Sequence, residues 1–89
     1  MKAVMTVIGA DCIGIVAQVS TLLAKMNVNI LDMSQTIMEG LFTMTMLVDT
    51  EKSEHKLEDI RSALDAKGAE MGLKIRIQRA DIFTAMHRI

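Results

Sequence analysis

Residues 9–14 read Gly9-Ala10-Asp11-Cys12-Ile13-Gly14, and they divide two apolar runs of different period. Before them, residues 2–8 place Ala3, Met5 and Val7 on one alternating face and Val4 and Ile8 on the other, the pattern of a strand covered on both sides. After them, Ile15, Val19, Leu22, Leu23 and Met26 follow steps of four, three, one and three, while Gln18, Thr21 and Lys25 fall outside that stripe. The period changes from two to 3.6 across six residues, so a strand turns directly into a helix spanning about 13–26. Two glycines and the chain's one cysteine sit in that turn. Either the backbone needs softness to reverse, or something approaches it closely.

Asn27-Val28-Asn29 closes the helix and opens a strand that runs to about Met38. Strict alternation there sets Leu31, Met33, Gln35 and Ile37 against Ile30, Asp32, Ser34 and Thr36. Glu39-Gly40 reads as a hairpin turn. The return strand alternates Phe42, Met44, Met46 and Val48 with Leu41, Thr43, Thr45 and Leu47. Ser53 is the expected N-cap of a second helix over 54–71, with Glu54 placed for the helix dipole and Leu57, Ile60, Leu64 and Met71 on its apolar stripe. Gly68 lies on the same stripe, so the helix either ends there or crosses the sheet closely. Leu73, Ile75 and Ile77 alternate with Lys74, Arg76 and Gln78 in a half-buried last strand, and Asp81 is placed to cap a short tail helix carrying Ile82, Phe83 and Met86.

Strand, helix, strand, strand, helix, strand is the order of an α+β, ferredoxin-like βαββαβ chain. It predicts a four-stranded antiparallel sheet in the order 4-1-3-2, with two helices on one face and a short C-terminal helix. The apolar rows left on the open face predict a homodimer or a larger symmetric assembly.

Eighty-nine residues leave room for one core, so residues 1–89 are expected to form a single domain. Hydrophobic residues make up 51% and mean hydropathy is +0.32, high for so small a unit and consistent with a covered apolar face. Nine methionines against two phenylalanines and no Trp or Tyr point to an adaptable, Met-filled core. Net charge is −1 with bases scattered along the chain, which argues against a nucleic-acid partner. One cysteine cannot form an internal disulfide, and the apolar start is too short for a leader or a membrane span. A cytoplasmic protein without membrane association is expected. His55 and His87 stand far apart, and no metal-ligating or nucleophile–base spacing appears, so no cofactor, no metal and no enzymatic role are expected.

Asp11-Cys12-Ile13-Gly14-Ile15-Val16-Ala17-Gln18-Val19-Ser20, then Leu22-Leu23-Ala24, then Asn27-Val28-Asn29-Ile30, together resemble the ACT domain. That family opens its first helix with Asp-x-x-Gly-apolar and begins its second strand with Asn- or Gly-Val-Asn-Ile. The length and the Ser34-Gln35-Thr36 strand resemble free-standing single-ACT proteins. Many members have proline where Ile13 stands, and its absence leaves a softer turn. The resemblance implies a small-molecule-sensing regulatory module that binds an amino acid or similar small carboxylate at a dimer interface. The alternative is a dimerisation or docking module that acts on a metabolic enzyme or transcription regulator without a ligand.

Free N–H groups at a helix start attract a carboxylate, and Gly14 leaves backbone there open to close approach. Asp11 either caps those groups itself or meets a ligand's ammonium. From the resemblance, the site comprises Asp11, Ile13, Gly14 and Ile15 with Asn29 and Ile30. Asn29 offers both a donor and an acceptor, though a strand-opening turn also suits asparagine. Cys12 near a helix start reads as a loop thiol or as a thiol of lowered pKa.

Overall fold

The computed structural model describes residues 1–81. Its elements are β1 (Lys2–Ala10), α1 (Ile15–Lys25), β2 (Asn29–Met38), β3 (Leu41–Asp49), α2 (Leu57–Met71) and β4 (Leu73–Arg79). The sheet order is β2-β3-β1-β4 with every neighbour antiparallel, which is the expected order read from the other edge. The tail helix expected over Ile82, Phe83 and Met86 lies outside the described residues.

One face of the sheet makes the core. Ala3, Met5 and Val7 of β1, Phe42, Met44, Met46 and Val48 of β3, and Leu73, Ile75 and Ile77 of β4 are all buried there. Ile15, Val19 and Leu23 of α1 and Ile60 and Leu64 of α2 join the same cluster, so both helices cover that face. Three methionines occupy the central rows of the two middle strands, where an unbranched, adaptable side chain fills space left by few aromatics.

Three details differ from the sequence expectation, and one alternative it leaves open is resolved. Register pairs Ile30 with Val48 and then Asp32 with Leu47, which leaves Leu31 as an extra residue in a bulge. Ile30 therefore turns to the helix face with Met33, not to the open face with Asp32, because a bulge resets the two-residue period. α2 begins at Leu57 after Lys56, three residues later than expected. Ser53 accepts the His55 N–H at 3.2 Å and so serves a local turn instead of the helix start. Gly68 lies inside α2, and a Cβ there would come within 2.6 Å of the Leu73 carbonyl oxygen, so close crossing is the reading that holds. Finally, the apolar rows of the open face are broken. Val4, Ile8, Leu41 and Leu47 alternate with Thr6, Thr43 and Thr45, and Lys74, Arg76 and Gln78 line the β4 side.

Candidate functional site

The β1–α1 loop hangs at the hairpin end of the sheet. Ala10 pairs with Leu41, and the next N–H, that of Asp11, donates to the Gly40 carbonyl at 2.8 Å. That bond ties the loop to the β2–β3 turn, where Glu39 and Gly40 both have positive φ. Asp11 and Cys12 are exposed, and Ile13 is 99% exposed. Ile15, two residues on, is only 2% exposed and anchors α1 in the core, so it supports the loop from beneath and does not line its surface.

Gly14 is the N-cap of α1, in the left-handed region at φ 87° and ψ 10°. Its carbonyl accepts the Gln18 N–H at 2.9 Å and starts the helix ladder. A Cβ on Gly14 would meet only Gln18 Nε2, at 3.8 Å. The backbone angle alone therefore calls for glycine, and crowding is not the reason. Crowding belongs to Gly9, where a Cβ would lie 2.5 Å from Leu73 Cδ2 and 3.1 Å from the Gly72 oxygen. The two glycines thus serve different needs: Gly9 lets Leu73 and Gly72 approach closely, and Gly14 supplies the left-handed conformation.

A glycine N-cap has no side chain to offer, and α1 has neither a side-chain cap nor an acid in its first turn. Among the described residues no side chain caps its leading N–H groups, which form the positive end of the helix. Asp11 does not cap them.

Asn29 and Ile30 lie at the other end of the sheet. Asn29 pairs with Asp49, which pairs with Lys2, whereas the loop follows the Ala10–Leu41 pair. Eight residue steps along β3 separate these rungs, about 27 Å at strand rise. Within one chain the expected site is therefore split into two halves.

The Asn29 half borders an open cleft of about 370 Å³ whose lining includes Asn27, Asn29, Asp49, Glu51 and Lys52. Sequence reasoning misses Asp49. The Glu51 N–H donates to its Oδ1 at 3.0 Å, and the N-terminal ammonium lies 3.3 Å from the same oxygen. The Glu51 hydrogen bond, joined by that ammonium and by Lys2, holds the Asp49 carboxyl below its ordinary value of 3.8 against a smaller desolvation effect. Only the spatial return of the chain start to the end of β3 makes this group visible, and no sequence spacing signals it. Among the described residues, no group of three or more His, Cys, Asp or Glu lies close enough to hold a metal ion. No helix among them is long and apolar enough to cross a membrane.

The chain is similar in sequence and fold to known proteins. The family model described as the ACT domain matches residues 2–78. A UPF0237 protein of Listeria innocua is 51% identical over 89 residues, covering 100% of both chains. A UPF0237 protein of Methanosarcina acetivorans is 48% identical over 88 residues, covering 99% of this chain and 96% of its own. Among solved structures, an ACT domain protein from Streptococcus pneumoniae superposes with a TM-score of 0.82 at 41% identity, over 93% of each chain. A putative glycine cleavage system transcriptional repressor matches at TM-score 0.78 and 25% identity, over 89% of this chain and 45% of its own.

Proposed function

The chain belongs to the ACT-domain family, and from that premise we propose that it is a regulatory module sensing an amino acid or similar small carboxylate between two copies of itself. The observation that carries this reading is the uncapped start of α1. A ligand carboxylate there accepts from the free N–H groups and meets the positive end of the helix.

A second copy reunites the halves of the site. Among the described residues β2 has one edge without a neighbouring strand, ten residues long, without proline and almost wholly exposed. Met33 is 41% and Ile37 57% exposed on its helix side, beyond the cover of α1 and α2. Such an edge invites pairing. Antiparallel pairing of two β2 strands about a two-fold axis brings the Asn29 end of one chain beside the hairpin end of the other. Asp11 and Gly14 of one protomer then stand near Asn29 and Ile30 of its partner. The opposite edge, β4, is less open: Arg61 Nη2 of α2 donates to the Ile77 carbonyl at 3.0 Å.

The likeness to a putative transcriptional repressor supports a regulatory output, exerted on a metabolic enzyme or transcription regulator. A thermal-shift screen of the purified protein against the common amino acids tests the reading. Ligand at about 100 times its Kd stabilises the folded form by about 2.7 kcal/mol. Each kcal/mol raises Tm by about 4–8 °C at this size. The site-directed control is Ala17→Glu. Ala17 is exposed in the first turn of α1, so a carboxylate there competes for the same N–H groups while favouring the helix by about 0.3–1 kcal/mol. The variant should keep its fold and lose the amino-acid shift. If no amino acid at millimolar concentration moves the unaltered protein, ligand sensing gives way to docking without a ligand.

A further inference from the structure

We propose that the outer edge of β4 and the groove beneath α2 receive an extended, alternating apolar and acidic segment of another protein as a fifth strand. The groove has a volume of about 590 Å³. Its helix wall is Arg61, Asp65 and Ala69, one stripe of α2 at four-residue spacing, and its other wall is β4. The proposal does not depend on an amino-acid ligand.

Backbone geometry fixes how such a segment lies. The Ile77 carbonyl is bonded to Arg61, so it points away from β1. Alternation in an antiparallel ladder turns the backbone groups of Leu73 and Ile75 outward as well. Ile75 and Ile77 offer the hydrogen-bonding row that an added strand uses, while the Leu73 carbonyl lies against Gly68 of α2. Arg61 holds the Ile77 carbonyl until the strand replaces it.

Side chains fix the chemistry. Leu73, Ile75 and Ile77 face the helix layer, so every second residue of the added strand enters the groove beside them and Ala69 and should be apolar. Lys74 and Arg76 stand on the open face of the same strand, so the residues between should be acidic and pair across the strands. Freed from Ile77, Arg61 adds a third positive charge against the single acid Asp65.

The same charges exclude other occupants. A second copy pairing β4 with β4 sets Lys74 and Arg76 against their own counterparts, which like-charge repulsion opposes. Nucleic acid would need stacking platforms. Phe42 is the one aromatic residue in the sheet, and it is buried under the helices.

The test uses an eight-residue blocked peptide alternating valine and glutamate, its valine–lysine counterpart, and the intact protein labelled for amide NMR and fluorescence anisotropy. The acidic peptide should bind, shift the amides of Leu73, Ile75 and Ile77, and weaken with added salt. The Lys74→Glu/Arg76→Glu variant, altered only at exposed positions, should raise its Kd about tenfold or more, equivalent to about 1.4 kcal/mol per tenfold. N-methylation of alternate peptide nitrogens on the pairing edge should abolish binding, because it removes the main-chain donors. The proposal is overturned by equal affinity for the lysine peptide, by shifts confined to residues away from β4, or by no binding at millimolar peptide. Preferential binding of a single-stranded oligonucleotide at these amides overturns it too.

Discussion

Gly9 and Gly14 separate two uses of the same residue. At Gly9 an added methyl runs into Leu73 and the Gly72 carbonyl, so Gly9→Ala should destabilise by about 1–3 kcal/mol in urea unfolding. At Gly14 the space is open and only the left-handed angle resists. Gly14→Asn should then cost less than Gly14→Val, whose branched Cβ fits that region poorly. Equal losses for the two Gly14 variants would show that space, not conformation, decides. Sequence marks both positions as special but cannot distinguish their reasons, because φ at one and the return of β4 at the other belong to the folded chain. Asp49 makes a prediction in pH. Its folded pKa lies below the ordinary value of 3.8, so its stabilisation is present above that value and disappears as pH falls through the folded one. Asp49→Asn should be less stable than the parent at pH 7, and denaturant midpoints of the two should converge in acid.

Elements are legible in the sequence wherever period alone defines them. The two-residue alternation of β3 and the stripe of α1 are enough to name their buried faces, and the sheet order follows from connecting such elements without crossing. The bulge at Leu31 is not legible, because a residue left out of pairing is apolar like its neighbours and only register exposes it. The start of α2 falls later than Ser53 suggests, because one hydroxyl has two uses and a turn claims it. Gly68 is the element-scale test. Alanine there favours an isolated helix by about 1 kcal/mol. In this chain it also drives a Cβ to 2.6 Å from a strand carbonyl that cannot move aside as a side chain can. Gly68→Ala should therefore lower Tm despite its better helix propensity, and a rise in Tm would show that α2 has room to lift from β4.

Within one chain the candidate site stays divided, and in the proposed reading two copies join its halves. Its six residues belong to one continuous sequence pattern, yet antiparallel pairing sends Asn29 about 27 Å from the Asp11 loop. No spacing in sequence encodes that separation, since the loop and the strand start are joined by one helix and differ by only about fifteen positions. If two β2 edges rejoin the halves, charge placed on that edge should undo both assembly and sensing. Met33→Lys with Ile37→Lys sets like charges on a two-fold seam, at positions already exposed in one chain. Exposed substitutions of this kind usually change monomer stability by no more than about 0.5 kcal/mol each, so the fold should persist. Light scattering after gel filtration should give the mass of two chains for the parent at micromolar concentration and of one chain for the variant. The variant should also lose any thermal shift with amino acids. A parent that elutes as one chain removes the two-fold seam, and a monomeric variant that still answers the ligand places the whole site within a single copy.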